Sequence, residues 1–430
     1  MKGLLFTYTL AYGGTFVSLF NPFWGLLAYI CFAIIRPESL WHWSVPAGNY
    51  SRIVAIGLLA GWIAKGCGDW NFGSARPIAF ALLGYWACIV ASAIFAANQQ
   101  VAWDYVILHS KILLPVLVGL TLVDSEKRLR AVAWVIVGSL GFLAFEGNLD
   151  HFLGGYRVRF DGMGGMDNNS FCIAMVLGTG VAFFLGLAEK NLWLKWVAFA
   201  AAGLMAHVPM FGNSRGGMLA LCVLGAVSFI LIPKRPAHVA ALALGFVIAL
   251  RLAGPAVWER FETIFSAPED RDDSAQSRLD LWADGWDVMK TYPMTGAGPD
   301  HWPLLAHTYG WPPGKEIHSL WVNAGAELGF LGLTFLSGMY LITLWKSGRF
   351  ALSRHGDGDW TLHTARMTAA GLAAFMVAAS FVSLDALEPP YHLLILGGGA
   401  LRTNDIATFG FATNQTWTQE HSQQFQVEIA

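Results

Sequence analysis

The chain has 430 residues, 55% of them hydrophobic and 13% charged, with a mean hydropathy of +0.49 and a formal net charge of -2. A soluble domain of this length cannot hide so much apolar surface, and so small a net charge argues against nucleic acid as a partner. Apolar runs near bilayer length (about 20 residues) recur along almost the whole sequence. The expected fold class is therefore all-α: a polytopic membrane helix bundle of about 12 transmembrane helices with a helical extracytoplasmic loop subdomain.

From Lys2 to Ile35 two apolar pieces meet at Asn21-Pro22, which reads either as two tilted spans or as one broken span. Further spans are expected at 53 to 64, 77 to 97, 105 to 123, 130 to 148, 169 to 187, 192 to 210, 216 to 233, 237 to 254, 319 to 345, 366 to 384 and 390 to 401. The first apolar stretch lacks a small-residue cleavage site and runs into more apolar sequence, so no cleaved signal peptide is expected. Cys31, Cys67, Cys88, Cys172 and Cys222 are scattered without metal spacing, which favours helix packing over a disulfide framework. The organisation expected is 1–254 as N-terminal transmembrane helices, 255–318 as an extracytoplasmic catalytic loop, 319–402 as C-terminal transmembrane helices and 403–430 as a flexible polar cytoplasmic tail.

Short connections rich in Lys and Arg face the cytoplasm. Under strict alternation Lys65 with Arg76, Lys127-Arg128 with Arg130, Lys190 with Lys195, Lys234-Arg235, and Lys346 through Arg354 fall on one side. The opposite side receives 36 to 52, 98 to 104, 149 to 168, 211 to 215, 255 to 318 and 385 to 389. The longest of these contains Ser277-Arg278-Leu279-Asp280, which reads as a capping box. Leu279, Trp282, Trp286 and Met289 follow at helical spacing until Pro293, an amphipathic helix expected to lie on the membrane surface. Gly296, Gly298 and Gly310 then mark a turn region leading to His318 at the mouth of the next span.

Arg215, Arg278 and His318 are each expected at or just before a helix start on the outer side, where unpaired N–H groups and the helix dipole favour an anion. Gly216-Gly217 after Arg215 would let backbone amides approach a ligand. Paired guanidinium groups suit a diphosphate, and a helix start with nearby arginines disfavours imidazolium, leaving His318 neutral and able to accept a proton. Against this stands the plainer reading of arginines that snorkel to headgroups.

Lys111, with His109, lies within a span and is a functional candidate by default, beside the alternative of a structural ion pair. Asp167, Asn168 and Asn169 precede a span, where they cap the helix or hydrogen-bond a substrate, and Arg157 and Arg159 add positive charge to hold an anion. The run Glu269-Asp270-Arg271-Asp272-Asp273 is read as an acidic solvated loop rather than a metal site. Glu327, nine residues after His318, falls on the opposite face of a continuous helix and about 13 Å deeper, so its expected role is structural.

The segment His318-Ser-Leu-Trp-Val-Asn-Ala-Gly-Ala-Glu327-Leu-Gly329-Phe-Leu-Gly332 resembles the hallmark of the O-antigen ligase and polymerase superfamily of bacterial envelope glycan enzymes. Ser277-Arg278 with Trp282, Pro293 and Gly296-Ala-Gly298 resembles its outer-loop pattern, and Ser214-Arg215-Gly216 its Ser-Arg-Gly signature. Asn21-Pro22, Arg36-Pro37 and Lys111-Ile-Leu-Leu are similar to the O-glycosylation ligase branch. Asn168 stands where relatives carry proline, a departure that touches the turn before Asn169.

The resemblance implies a glycan on a polyprenyl diphosphate carrier as donor, a lipid, protein or glycan hydroxyl as acceptor, and transfer outside the bacterial inner membrane. Arg215 and Arg278 would clamp the diphosphate and His318 would act as base, with Lys111, Arg157, Arg159, Asp167 and Asn169 binding substrate and with neither metal nor cofactor. A transporter or flippase for an anionic lipid-linked sugar, an O-antigen polymerase and a noncatalytic envelope subunit are the alternatives. The outer-rim position of the candidates and the lack of an internal repeat weigh against a transporter.

Overall fold

The computed structural model describes residues 1–232, 234–237, 239–240, 243–244, 247, 273–353 and 359–427, the side chains of 273–275 and 409–427 excepted. Among these residues there is no strand, and the long helices are α1 (Lys2–Phe20), α2 (Pro22–Ile35), α3 (Tyr50–Ala64), α4 (Arg76–Phe95), α5 (Gln99–Leu122), α6 (Glu126–Phe152), α7 (Asn168–Ala188), α8 (Leu192–Phe211), α9 (Arg215–Leu231), α10 (Asp273–Thr291), α11 (Leu320–Ser353), α12 (Trp360–Ala378) and α13 (Pro389–Val427). Eight stretches are long and apolar enough to cross a membrane: α1, α2 with the turn that follows it (Pro22–Leu40), α4 to α8 and α11. Helices α3 and α9 are apolar but shorter, and α12 carries His363 and Arg366 inside its run. Most of the expected span 237 to 254 lies outside the described residues.

Asn21 resolves the first ambiguity. Its extended backbone and its side chain, which accepts from Phe23 N–H, end α1 and start α2 with Pro22 in the first turn, so there are two helices. They pack as a hairpin through small residues: a Cβ added to Gly25 would collide with Ser18, and one on Gly14 would approach Ala28. Gly57 and Gly61 of α3 meet Thr15 and Ser18 of α1 in the same way, so this corner is held by close backbone approach. At the other extreme α7 is buried over 83% of its apolar window, against 22% for α1, and it lies between α8 and α12 at the centre of the bundle.

The connections sort onto two faces. On one, Arg402 donates to the carbonyls of Leu120 and Thr121 (both 3.0 Å) and pairs with Asp69, Arg130 pairs with Glu189 at 2.9 Å, and Asp405 holds Ser74. On the other, Arg36 reaches Gly165 O (3.3 Å), Asn98 N–H donates to His301 (2.9 Å), and Asn168 donates to Gly212 O (2.8 Å). These contacts join the connections around 65–76, 124–130 and 189–195 to the end of α13 in the first set, and 36 to 52, 149 to 168 and 211 to 215 to one another in the second, where 98 to 104 meets the loop before α11.

One expectation needs correction. Helix α10 already runs from Asp273, so Ser277 is inside it and is no cap. Its buried stripe is Leu281, Gly285, Val288 and Met289, while Leu279 and Trp286 are exposed. A second apolar cluster of Leu281, Val288, Trp302, Ala306, Ile317 and Ala326 explains the shift, because α10 turns that stripe towards the following loop and α11. Residues from Thr403 to Val427 are helical in continuation of α13. No proline interrupts it, and polar composition does not by itself end a helix. The acidic run 269–272 lies outside the described residues.

Candidate functional site

His318 sits two residues before α11 in the left-handed backbone region, at φ 57°. Its flanks are fixed: Ile317 is fully buried, and Leu320 N–H donates to Ala379 O (2.8 Å). The ring is half-buried. Burial holds the imidazole below the usual histidine range, the charges of Arg278 and Lys315 push the same way, and Asp167 opposes them. The expectation of a neutral ring therefore stands with a different leading cause, because desolvation outranks the arginine. Nδ1 lies 3.8 Å from Glu316 Oε2, too far for a hydrogen bond.

Arg278 lies inside α10, so it offers the site a guanidinium and not a helix start. Arg215 does open a helix. Ser214 caps α9 by accepting from Gly217 N–H (3.2 Å) and donates to Asn169 Oδ1 (2.8 Å). The Gly217 amide is thus committed to the cap, and Gly217 packs where a Cβ would lie 3.0 Å from Cys172 Cβ.

Asp167 caps α7, accepting from Asn169 N–H (2.8 Å) and Ser170 N–H (3.2 Å). Asn168 beside it donates to both Arg159 O (2.9 Å) and Gly212 O (2.8 Å). The starts of α7 and α9 are therefore laced together, and through Asp167 they share an electrostatic field with His318 and Arg278.

Arg157 and Arg159 occupy the turn Arg157–Phe160 in the same connection, with the Arg159 guanidinium over the Phe160 ring at 5.6 Å. Lys111 stands apart. It lies 12 residues from the outer end of α5, roughly 18 Å along the helix, and its carbonyl accepts the Tyr29 hydroxyl at 2.5 Å. Its neighbour His109 is fully buried, stacks on Tyr105 (3.8 Å between centroids) and faces Asp385 at 3.8 Å.

Lys315, Glu316 and Asp300 went unweighed in the sequence. The Glu316 carboxyl is raised by burial and then by Asp167, Asp385 and Asp300, so four carboxyl groups act within one field. Glu316 and Lys315 had a visible signal, their place within three residues of His318. Asp300, raised by burial and Asp385, has φ 55°, and only the folded loop brings it there.

Eight helices long and apolar enough to cross a membrane make this a multi-pass membrane protein, and the polar residues described above gather near the starts of α7, α9 and α11. Residues 200–337 match the family model described as O-antigen ligase, and residues 1–176 match one described as a family of unknown function (DUF5935). No curated protein matches the chain. The first of the two family matches covers about a third of the chain, so residues 200–337 are similar to an O-antigen ligase domain. Arg215, Arg278, His318 and Glu327 fall inside that match, and Lys111, Arg157, Arg159, Asp167 and Asn169 inside the other.

Proposed function

We propose that the chain transfers a glycan from a polyprenyl diphosphate carrier to an acceptor hydroxyl on the extracytoplasmic face of the bacterial inner membrane. The acceptor is a lipid A core, a protein or a growing glycan. The observation that carries this reading is the environment of His318: a half-buried imidazole held towards its neutral form beside Arg278 and Lys315, within the residues similar to an O-antigen ligase domain. In this reading the chain crosses the bilayer about 12 times, residues 255–318 form the outer catalytic loop, and the basic connections mark the cytoplasmic face.

The acceptor oxygen attacks the anomeric carbon while the His318 ring takes its proton, and the carbon–oxygen bond to the diphosphate breaks. Arg215 and Arg278 bind the diphosphate and stabilise the charge that grows on it as it leaves. A diphosphate departs as a stable anion, so no general acid is required, and direct attack inverts the anomeric centre. Guanidinium groups supply the positive charge, so the step is metal-independent. Asp167 and Asn169 fix the floor between the two helix starts, Arg157 and Arg159 add positive charge at its rim, and Lys111 contacts substrate deeper in the bundle.

The test is His318→Gln, which keeps hydrogen bonding and approximate size but cannot take a full proton at neutral pH. Transfer should fall by about 10²- to 10⁴-fold while a donor analogue still binds. Normal turnover would remove His318 as base. Loss of donor binding in proportion to turnover would move it into the diphosphate clamp.

A further inference from the structure

The loop leading to His318 is attached to α11 by an unusual joint. Helix α11 breaks at Gly329 (φ 71°, ψ -174°), and the segment 293–302 fills the break. Phe330 N–H donates to Pro293 O at 2.9 Å instead of to Ala326. The freed Ala326 carbonyl accepts from Ala297 N–H (2.9 Å), and the Glu327 carbonyl accepts from Gly298 N–H (3.1 Å) and the Ser92 hydroxyl (2.9 Å). A side chain at 329 would meet the Met294 backbone at 2.7 Å, so glycine serves there both for its φ and for the close approach.

Glu327 completes the joint. Its carboxylate, on a residue 2% exposed, accepts from Asp300 N–H (3.0 Å), Trp302 N–H (3.1 Å) and Asn323 Nδ2 (3.3 Å). Trp302, 1% exposed, then donates its indole N–H to Lys315 O at 2.8 Å, three residues before His318. A continuous path therefore runs from the Glu327 carboxylate through Trp302 to the backbone that sets the His318 ring. On the far side Leu320 is tied to Ala379, so release of the Lys315 carbonyl frees one of the two flanks.

We propose that Glu327 and Trp302 form a positioning relay that holds the loop 300–317 against the break in α11 and thereby aims the His318 ring. The relay rests on the reading of His318 as the base. The groups that act on that ring are Arg278 from α10, Lys315 and Glu316 from the loop and Asp167 from the start of α7; of these only Lys315 touches the relay, through its backbone carbonyl and not its charge.

Trp302→Phe tests it, because it deletes one N–H donor and keeps an aromatic ring in the apolar cluster. Measured on folded protein in nanodiscs, kcat should fall about 3- to 10-fold with the donor KM unchanged, as for loss of one buried hydrogen bond. The acidic limb of the kcat profile should rise towards the ordinary histidine range, because a loosened loop exposes the ring. Glu327→Gln should act in the same direction and more strongly, since an amide offers one acceptor oxygen and sets an N–H₂ against a backbone donor. If Trp302→Phe lowers only folded yield, with kcat per folded molecule and the pH limb unchanged, the joint is structural and the relay is overturned. An inactive His318→Gln beside that result keeps the base assignment, whereas a fully active His318→Gln overturns both.

Discussion

The two faces of the bundle use charge differently. On the basic face the ion pairs are tight: Arg130 meets Glu189 and Arg128 meets Asp124 at 2.9 Å, and Arg402, 2% exposed, is spread over Asp69 and two carbonyls. On the opposite face His318–Glu316, His109–Asp385 and Arg36–Glu388 stand at 3.8, 3.8 and 4.0 Å. Lys290–Asp287 at 3.0 Å is a closer pair, but it lies on the exposed side of α10, away from His318. Buried Arg402 and Glu189, each bonded more than once, are the kind of charge that holds helices together, whereas the three pairs named on the opposite face stand beyond hydrogen-bond distance.

The largest effect should come from the two arginines proposed to bind the diphosphate. Arg278→Lys and Arg215→Lys together keep both charges but lose the planar fork, and transfer should fall about 10- to 100-fold with the protein still inserted and folded. Near-normal turnover in a steady-state assay would mean that these side chains only reach for headgroups.

The tight face should respond in the opposite currency. Arg130→Ala leaves Glu189 buried with Trp134 as its remaining side-chain donor, so thermal stability in detergent should drop by roughly 1–3 kcal/mol. Transfer per folded molecule should stay the same. A selective loss of turnover would show that the basic face also belongs to the reaction.

The smallest effect sharpens the His318 environment. Its lowered pKa means that kcat should hold steady as pH falls through the ordinary histidine value and decline only below it. Asp167→Asn preserves the cap of α7, because asparagine also caps well, and removes the negative charge that favours imidazolium. The acidic limb should therefore move to still lower pH by a fraction of a unit. A limb that moves up would show that Asp167 acts on another group.

These two faces were legible in the sequence because lysines and arginines in short connections can be counted without knowing how helices pack. The capping role of Asp167 was legible too, since a cap is decided within three residues. The start of α10 was not. Ser277 and Asp280 have the spacing of a capping box, but the helix had already begun at Asp273, and the buried stripe is chosen by Trp302 and Ile317, which come later in the chain. Nor could the break in α11 be read locally. Gly329 is one of many glycines, and what uses its φ is the Pro293 carbonyl, 36 residues earlier. The partners of Glu327 were not legible either, because two of them are backbone N–H groups that only the folded loop at Asp300 and Trp302 brings to it.

The central claim is chemical: this chain makes a new glycosidic bond at the face that holds His318. The most direct measurement incubates the purified protein in nanodiscs with a polyprenyl diphosphate glycan and candidate acceptors, then reads the products by mass spectrometry and their anomeric configuration by NMR. Glycosylated acceptor with inverted configuration, formed in the presence of chelator, is the predicted result. No glycosylated acceptor, together with movement of the intact lipid-linked glycan across proteoliposomes, would contradict it and make the chain a transporter.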